Sequence, residues 1–333
     1  MTELYWGNLM HLGYNMWYDE DASVPDNIKK GGYGFASRTL RCDRPTWNAM
    51  IDRSVEQGVN MVVIDLGEGV KYETHPELAV EGSWSVEELR AELARLRSLG
   101  ITPIPKLNFA LTHNKWLGPY KRMATSDLYN KVCTDLISEV CDIFDTPPMF
   151  HLGMDEEELD NQINMQFACV RQFDLWWHDL YLLFDACDKK GVRPALWSDY
   201  ANNHPEEYIK RMSKDAVQFH WYYWNFWENV PGHYQNLNDP KFDYTAENYA
   251  YFRKFLKNYR AFEKAGFDQI PTGSSWDCDE NFGNLTEYAR QIISPEHLKG
   301  FMQTAWKPAM PDTLDTQLHA IDLVGAARRN YRG

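Results

Sequence analysis

No window of the 333-residue sequence approaches the ~18 consecutive apolar residues that span a bilayer, and no basic segment leading into an apolar run follows Met1. The expectation is a cytoplasmic protein with no membrane partner. Positive charge is scarce: 34 Lys and Arg stand against 48 Asp and Glu, a net charge of −14. A surface this negative repels phosphate backbones, and no Lys/Arg stripe reverses it locally, so nucleic acid is not an expected partner. Cysteine is sparse too. Cys42, Cys133, Cys141, Cys169, Cys187 and Cys278 form no CxxC pair, which favours thiols in a reducing compartment over a disulfide or zinc framework. Neither HxH nor HExxH spacing occurs. His11, His113, His151 and His220 fall near strand ends, but a lone rim histidine is more often a hydrogen-bonded wall residue than a ligand. No metal and no cofactor is expected, and the sequence carries no signal for oligomeric state.

Low-complexity linkers and shifts of composition are also missing. Length alone suggests about two domains at ~150 residues each, but α/β barrels run to ~250 residues or more as one unit. What is present is alternation. Short apolar runs rich in Val, Ile and aromatics alternate with longer segments of helical period, the pattern of repeated βα units around a parallel sheet. Strands are predicted over 4–10, 60–66, 102–108, 149–153, 193–198, 216–221, 269–274 and 300–304. Helices are predicted over 45–57, 85–98, 127–144, 167–189, 205–212, 246–265, 284–293 and 313–329. Ser85 with Glu87 and Glu88 marks a helix start, where carboxylates face the positive end of the dipole. Gly100, Gly191 and Gly266 each follow a helix and precede a strand. Eight such units imply an α/β fold, a single (β/α)8 TIM barrel over 1–333, with loop insertions at about 13–41 and 222–244.

In a barrel of this kind the reactive residues come from the C-terminal strand ends, where the loops build the large concavity. His11 follows the first strand, Asp65 the second, Asn108 the third, and Trp197 and Asp199 the fifth. The sixth ends in Trp221 and Tyr222, the seventh in Trp276 and Asp277, and the eighth in Trp306. After the fourth comes His151-Leu152-Gly153-Met154-Asp155-Glu156-Glu157, the densest acidic group of the chain. One Trp is adequately explained as top-layer packing. Four at consecutive strand ends, interleaved with carboxylates, suit a sugar, whose C–H faces stack on rings while its hydroxyls donate to carboxylates. Neighbouring residues at a strand end point in different directions, so Asp155 can hold a substituent while Glu156 reaches the scissile oxygen. A carboxyl between aromatic walls and beside a second negative charge has its pKa raised, as a general acid requires. Glu157 and Glu158 read as a solvated helix start.

Phe150-His151-Leu152-Gly153-Met154-Asp155-Glu156 resembles the His-x-Gly-Gly-Asp-Glu signature of glycoside hydrolase family 20, the β-N-acetylhexosaminidases. As in that family, a helix ending in an apolar pair, Ile143-Phe144, precedes it. His75-Pro76-Glu77-Leu78, Gly82-Ser83-Trp84-Ser85 and Gly100-Ile101-Thr102-Pro103-Ile104-Pro105 follow the family's run from second to third strand. The resemblance implies that Glu156 is the general acid/base and that Asp155 orients the substrate's 2-acetamido group. The acetamido oxygen would then be the nucleophile, giving an oxazolinium intermediate, net retention and exo action. Tyr222 or Tyr223 would hold that oxygen, with Trp197, Trp221 and Trp306 as walls and Trp276-Asp277 loosely in place of the family's Tyr-x-Asp. The partner implied is an oligosaccharide or glycoconjugate.

The sequence departs from the family at the sugar grip. Leu9-Met10-His11-Leu12-Gly13 lacks the first-strand Arg, and Pro105-Lys106-Leu107-Asn108 replaces Pro-Glu-Ile-Asp. Met154 replaces the second Gly, and Lys307 stands where a hydroxyl-binding Glu is expected. Lys106 and Lys307 would suit an anionic or otherwise altered sugar. Two alternatives stay open: a glycosidase using Asp199 or Asp277 as nucleophile at ~5–5.5 Å from the acid, and a non-catalytic carbohydrate-binding barrel.

Overall fold

The computed structural model describes residues 3–19, 33–163, 165, 167–169, 171–227, 230–233, 246–276, 278–279 and 281–332. In chain order, β1 (Tyr5–His11) leads to α1 (Arg44–Gln57), β2 (Met61–Asp65) to α2 (Val86–Ser98), and β3 (Thr102–Lys106) to α3 (Asp127–Ile143). Then β4 (Met149–His151) leads to α4 (Asp174–Asp188), and β5 (Arg193–Trp197) to α5 (Pro205–Arg211). After β6 (Val217–Phe219), a hairpin of β7 (Asn225–Trp227) and β8 (Val230–His233) precedes α6 (Ala246–Ala265). Last come β9 (Thr272–Ser274) with α7 (Asn281–Ile292) and β10 (Gly300–Thr304) with α8 (Leu314–Asn330).

All but the hairpin strands form one parallel sheet in the order β6-β5-β4-β3-β2-β1-β10-β9. Bridges from Gln218 to Gln269 and from Trp221 to Thr272 join β6 to β9 and complete the ring. The expected (β/α)8 barrel is therefore the fold. Helix starts follow local chemistry: the Asp43 side chain accepts from the Thr46 N–H at 2.9 Å ahead of α1. Ser85 and Glu88 cap α2 reciprocally, at 3.2 Å and 2.8 Å. The helix predicted from 167 begins only at Asp174, after Phe173 turns into the left-handed region with φ of 56°.

Side chains alternate between the ring's interior and the helices, as a strand's period of two requires. Leu9, Val63, Ile104 and Met149 are among those filling the interior, while Met10, Val62, Ile64 and Phe150 pack outward against the helices. One layer higher the strand register aligns His11 with Asp65, Asp65 with Lys106, and Lys106 with His151. This polar layer is sealed; each of its members is at most 3% exposed. The described parts of the first insertion, 13–19 and 33–41, contribute Tyr14, Trp17, Tyr18 and Tyr33 to the barrel mouth. Arg41 in this insertion donates to the carbonyls of Tyr33, Phe35 and Tyr14 at 2.8–3.0 Å. Among the described residues no helix is long and apolar enough to cross a membrane.

Candidate functional site

The acidic motif sits on a strained turn that its sequence accommodates at one point only. β4 ends at His151, and Gly153 then adopts φ of 73°. A Cβ at Gly153 would lie 1.9 Å from the Asn108 Oδ1, so only glycine passes there. Met154 and Glu156 also have positive φ, 70° and 54°, each a conformation that costs a side-chain-bearing residue about 1–3 kcal/mol. The surroundings enforce the turn. The Gly153 carbonyl accepts from Trp197 N–H at 3.0 Å, and the Glu156 N–H donates to Asp199 Oδ2 at 2.9 Å. Behind the loop, Arg171 donates to Glu157 at 2.6 Å and to the Phe109 carbonyl at 3.0 Å, and pairs with Asp179 at 3.3 Å. Glu157 is thus buried and paired, not part of a solvated helix start. Glu158 likewise is engaged, by Gln172 and His204.

The turn aims the two carboxylates at one imidazole. His113 Nδ1 lies 3.3 Å from Asp155 Oδ1, and its Nε2 lies 3.4 Å from Glu156 Oε2. Asn108 adds a 3.0 Å hydrogen bond to the same Asp155 oxygen. Burial alone would lift the Asp155 pKa, but His113, Lys106 and Asn108 outweigh it and hold this carboxyl well below the ordinary range. Glu156 moves the other way: loss of water raises it, Asp155 adds to the rise, and His113 opposes. The pocket side of Glu156 stays open, with its side chain 40% accessible against 8% for Asp155. Burial acts to lower the His113 pKa, yet the two carboxylates prevail and raise it, which suits an imidazolium donating from both nitrogens. Asp199 is pushed up to about 8 by burial and then by the charge of Asp155.

Asp155, Glu156 and His113 meet a cavity of about 490 Å³. That volume lies within the range that accommodates a small ligand. Trp221 and Tyr223 stack at 4.9 Å along one wall. The Trp306 indole N–H donates to the Tyr223 hydroxyl at 3.1 Å, and the Tyr14 hydroxyl donates to the Trp306 carbonyl at 2.5 Å. Trp17, Tyr18, Tyr33 and Trp224 extend the aromatic lining, and Trp276 with Lys307 completes it.

Of the residues singled out in the sequence, Asp155, Glu156, Trp221, Trp276 and Trp306 reach the cavity. Asn108 and Asp199 do not line it but hold Asp155 and the Glu156 backbone. His11, Asp65 and His151 lie in the sealed layer below, where Lys106 pairs with Asp65. His11 and His151 are held well below the usual histidine pKa, by burial first and then by Lys106. Trp197 is buried, packing on His151 at 4.4 Å and on Trp306 at 5.9 Å, so it backs a wall rather than forming one. Tyr222 points into the outer core and Tyr223 takes the cavity position. Residues 221–224 lie beyond the end of β6 and Trp224 lines the cavity as well, so strand alternation does not separate the two phenols. Asp277 lies outside the described residues. Tyr14, Trp17 and Tyr33, which the site also uses, sit in loops with no periodicity to flag them, and His113, which the sequence places beyond the third strand, lies between Asp155 and Glu156.

No family model matches the sequence, and no curated protein matches it. Solved structures do. A family 20 exo-β-N-acetylglucosaminidase from Vibrio harveyi, in complex with N-acetylglucosamine, is 13% identical with a TM-score of 0.60, over 99% of this chain and 55% of that one. A Streptomyces plicatus β-hexosaminidase mutant with N-acetylglucosamine product is 12% identical with a TM-score of 0.57, over 97% and 64%. Dispersin B is 14% identical with a TM-score of 0.53, over 94% and 98%. The chain thus spans little more than half the length of the Vibrio protein it matches. At these identities the likeness is one of architecture, the (β/α)8 barrel fold.

Proposed function

We propose that the protein is a glycoside hydrolase that removes terminal N-acetylhexosamine-type sugars with retention, by substrate-assisted catalysis. The observation that carries this reading is the split of the acidic pair. One imidazole bridges two adjacent carboxylates, of which Asp155 is driven towards the ionised form and Glu156 towards the protonated form. Asp155 accepts the N–H of the 2-acetamido group and orients its carbonyl oxygen, which attacks the anomeric carbon. Glu156 gives its proton to the departing glycosidic oxygen. The resulting oxazolinium is opened by water, whose proton returns to the Glu156 carboxylate. Burial holds the Tyr223 phenol far above its usual pKa. It therefore keeps its proton and can donate it to the acetamido oxygen while its own oxygen accepts from Trp306.

The sealed polar layer beneath Asp155 closes the pocket floor, which favours a single terminal sugar and hence exo action. A protein nucleophile is less well supported. Asp199 has one oxygen occupied by the Glu156 N–H and the other buried, and its raised pKa keeps it protonated at neutrality. The likeness to the three barrel structures is consistent with the reaction class.

The experiment is inhibition by the thiazoline analogue of the oxazolinium, together with turnover of chromogenic glycosides by Glu156→Gln. Competitive inhibition and loss of turnover are expected. A thiazoline that neither inhibits nor raises the melting temperature contradicts substrate assistance, and glycan binding without product from either protein points to a binding barrel.

A further inference from the structure

Lys307 is the one Lys or Arg side chain among the residues described as lining the cavity. Among the described residues its ammonium has neither a carboxylate nor a hydrogen-bond acceptor, and rests 5.1 Å from the centroid of the Trp276 ring. Its backbone, in contrast, is fixed. Trp306, with φ of 49°, has its carbonyl held by the Tyr14 hydroxyl, and the Lys307 carbonyl accepts from Gln317 Nε2 at 2.6 Å. The fold therefore spends two hydrogen bonds on presenting a donor-only cation to the ligand space.

The other charged groups of the lining are already grouped with one another. Asp155 and Glu156 flank His113 at 3.3 Å and 3.4 Å, and the Tyr33 hydroxyl donates to Asp312 at 2.6 Å. A bound neutral sugar would strip water from the Lys307 ammonium and return only dipoles. An oxyanion on the sugar returns a charge-assisted hydrogen bond. Since the whole chain carries −14, the attraction has to come from a local group at the contact.

We infer that Lys307 forms a subsite for an anionic substituent, a sulfate ester or a carboxylate, so that the preferred substrate is an acidic glycoside. This rests on the hydrolase reading above and narrows it. The oxyanion is the shared chemistry; the sulfated and uronic arms of the test tell its two sources apart.

The test compares 4-nitrophenyl N-acetyl-β-glucosaminide, its 6-O-sulfate and its 6-carboxylate, the 2-acetamido-2-deoxy-β-glucuronide, on wild type, Lys307→Met and Lys307→Arg. Calorimetry with free N-acetylglucosamine 6-sulfate and N-acetylglucosamine runs beside it. Wild type should favour an anionic over the neutral substrate in kcat/KM. Lys307→Met should cut that preference about tenfold or more, chiefly through KM, and Lys307→Arg should retain it. A wild-type preference for the neutral glycoside, or a preference unchanged in Lys307→Met, overturns the subsite. If no glycoside is turned over, the hydrolase reading fails separately. The subsite then stands if the 6-sulfate binds about tenfold more weakly to Lys307→Met, and falls if wild type and variant bind it equally or not at all.

Discussion

The backbone N–H of Glu156 donates to the Asp199 carboxyl at 2.9 Å, tying the proposed acid to a group whose own pKa is pushed up to about 8. Asp199 thus holds the left-handed turn at Glu156 in place without adding a negative charge beside it at neutral pH. Ionising Asp199 would set three carboxylates against one imidazole.

The pH dependence of stability follows from that raised pKa. The native state binds a proton on Asp199 that the unfolded chain releases near 3.8, so this group's contribution is complete below about 4 and is lost as pH rises through about 8. Asp199→Asn keeps an acceptor for the Glu156 N–H and cannot ionise. Its melting temperature should gain on wild type from pH 5 to about pH 8 and level off above that. A difference that stays constant across that range contradicts the assignment.

His113 should set the activity profile. It lowers both Asp155 and Glu156, so removing its charge in His113→Asn should move both limbs of the kcat/KM profile to higher pH and reduce the maximum about 10- to 100-fold. The check is a full pH–rate profile of both proteins. Limbs that stay where they are would show that the imidazole does not control the pair.

The turn itself is open to a stability measurement. Gly153→Ala places a methyl against Asn108 at a φ of 73°, and the expected cost is about 2–4 kcal/mol with loss of turnover. Denaturant midpoints measure it. A shift below about 1 kcal/mol would mean that the turn can relax.

Behind the turn, Arg171→Met leaves Glu157 and Asp179 buried without their cation. Destabilisation of about 3–5 kcal/mol is expected. Adding Glu157→Gln should recover part of it, because one of the two stranded charges is gone. No recovery in a double-mutant cycle would place the effect in packing instead.

Much of the architecture is legible in the sequence because local and long-range preferences agree. The run Met61–Asp65 is centred on the β-branched Val62, Val63 and Ile64 and is buried throughout, and the helix start marked by Ser85 closes in the structure into a reciprocal cap with Glu88. Asp155 and Glu156 stand out because they are adjacent acids at one strand end, within the densest acidic group of the chain. Side-chain direction and distant pairing are harder to read. A one-residue choice separates Tyr222 in the core from Tyr223 in the cavity. Glu157 looks like helix-start charge until Arg171, fourteen residues on, is brought under it by the late start of α4. His113 has no motif, because its partners become neighbours only through the register of β3 and β4. His11, Asp65 and His151 lie at strand ends, but the ends of strands in this barrel form a sealed layer before they reach open space.

The central claim, that the substrate's acetamido oxygen attacks while Asp155 orients it and Glu156 donates the proton, is tested most directly by fluorinating that acetyl group. kcat/KM is measured for 4-nitrophenyl β-glucosaminides bearing N-acetyl, N-fluoroacetyl, N-difluoroacetyl and N-trifluoroacetyl groups. Each fluorine weakens the carbonyl oxygen as a nucleophile, so the rate should fall steeply and monotonically along the series. A rate independent of fluorine content would contradict the account and assign the attack to a group of the protein or to water.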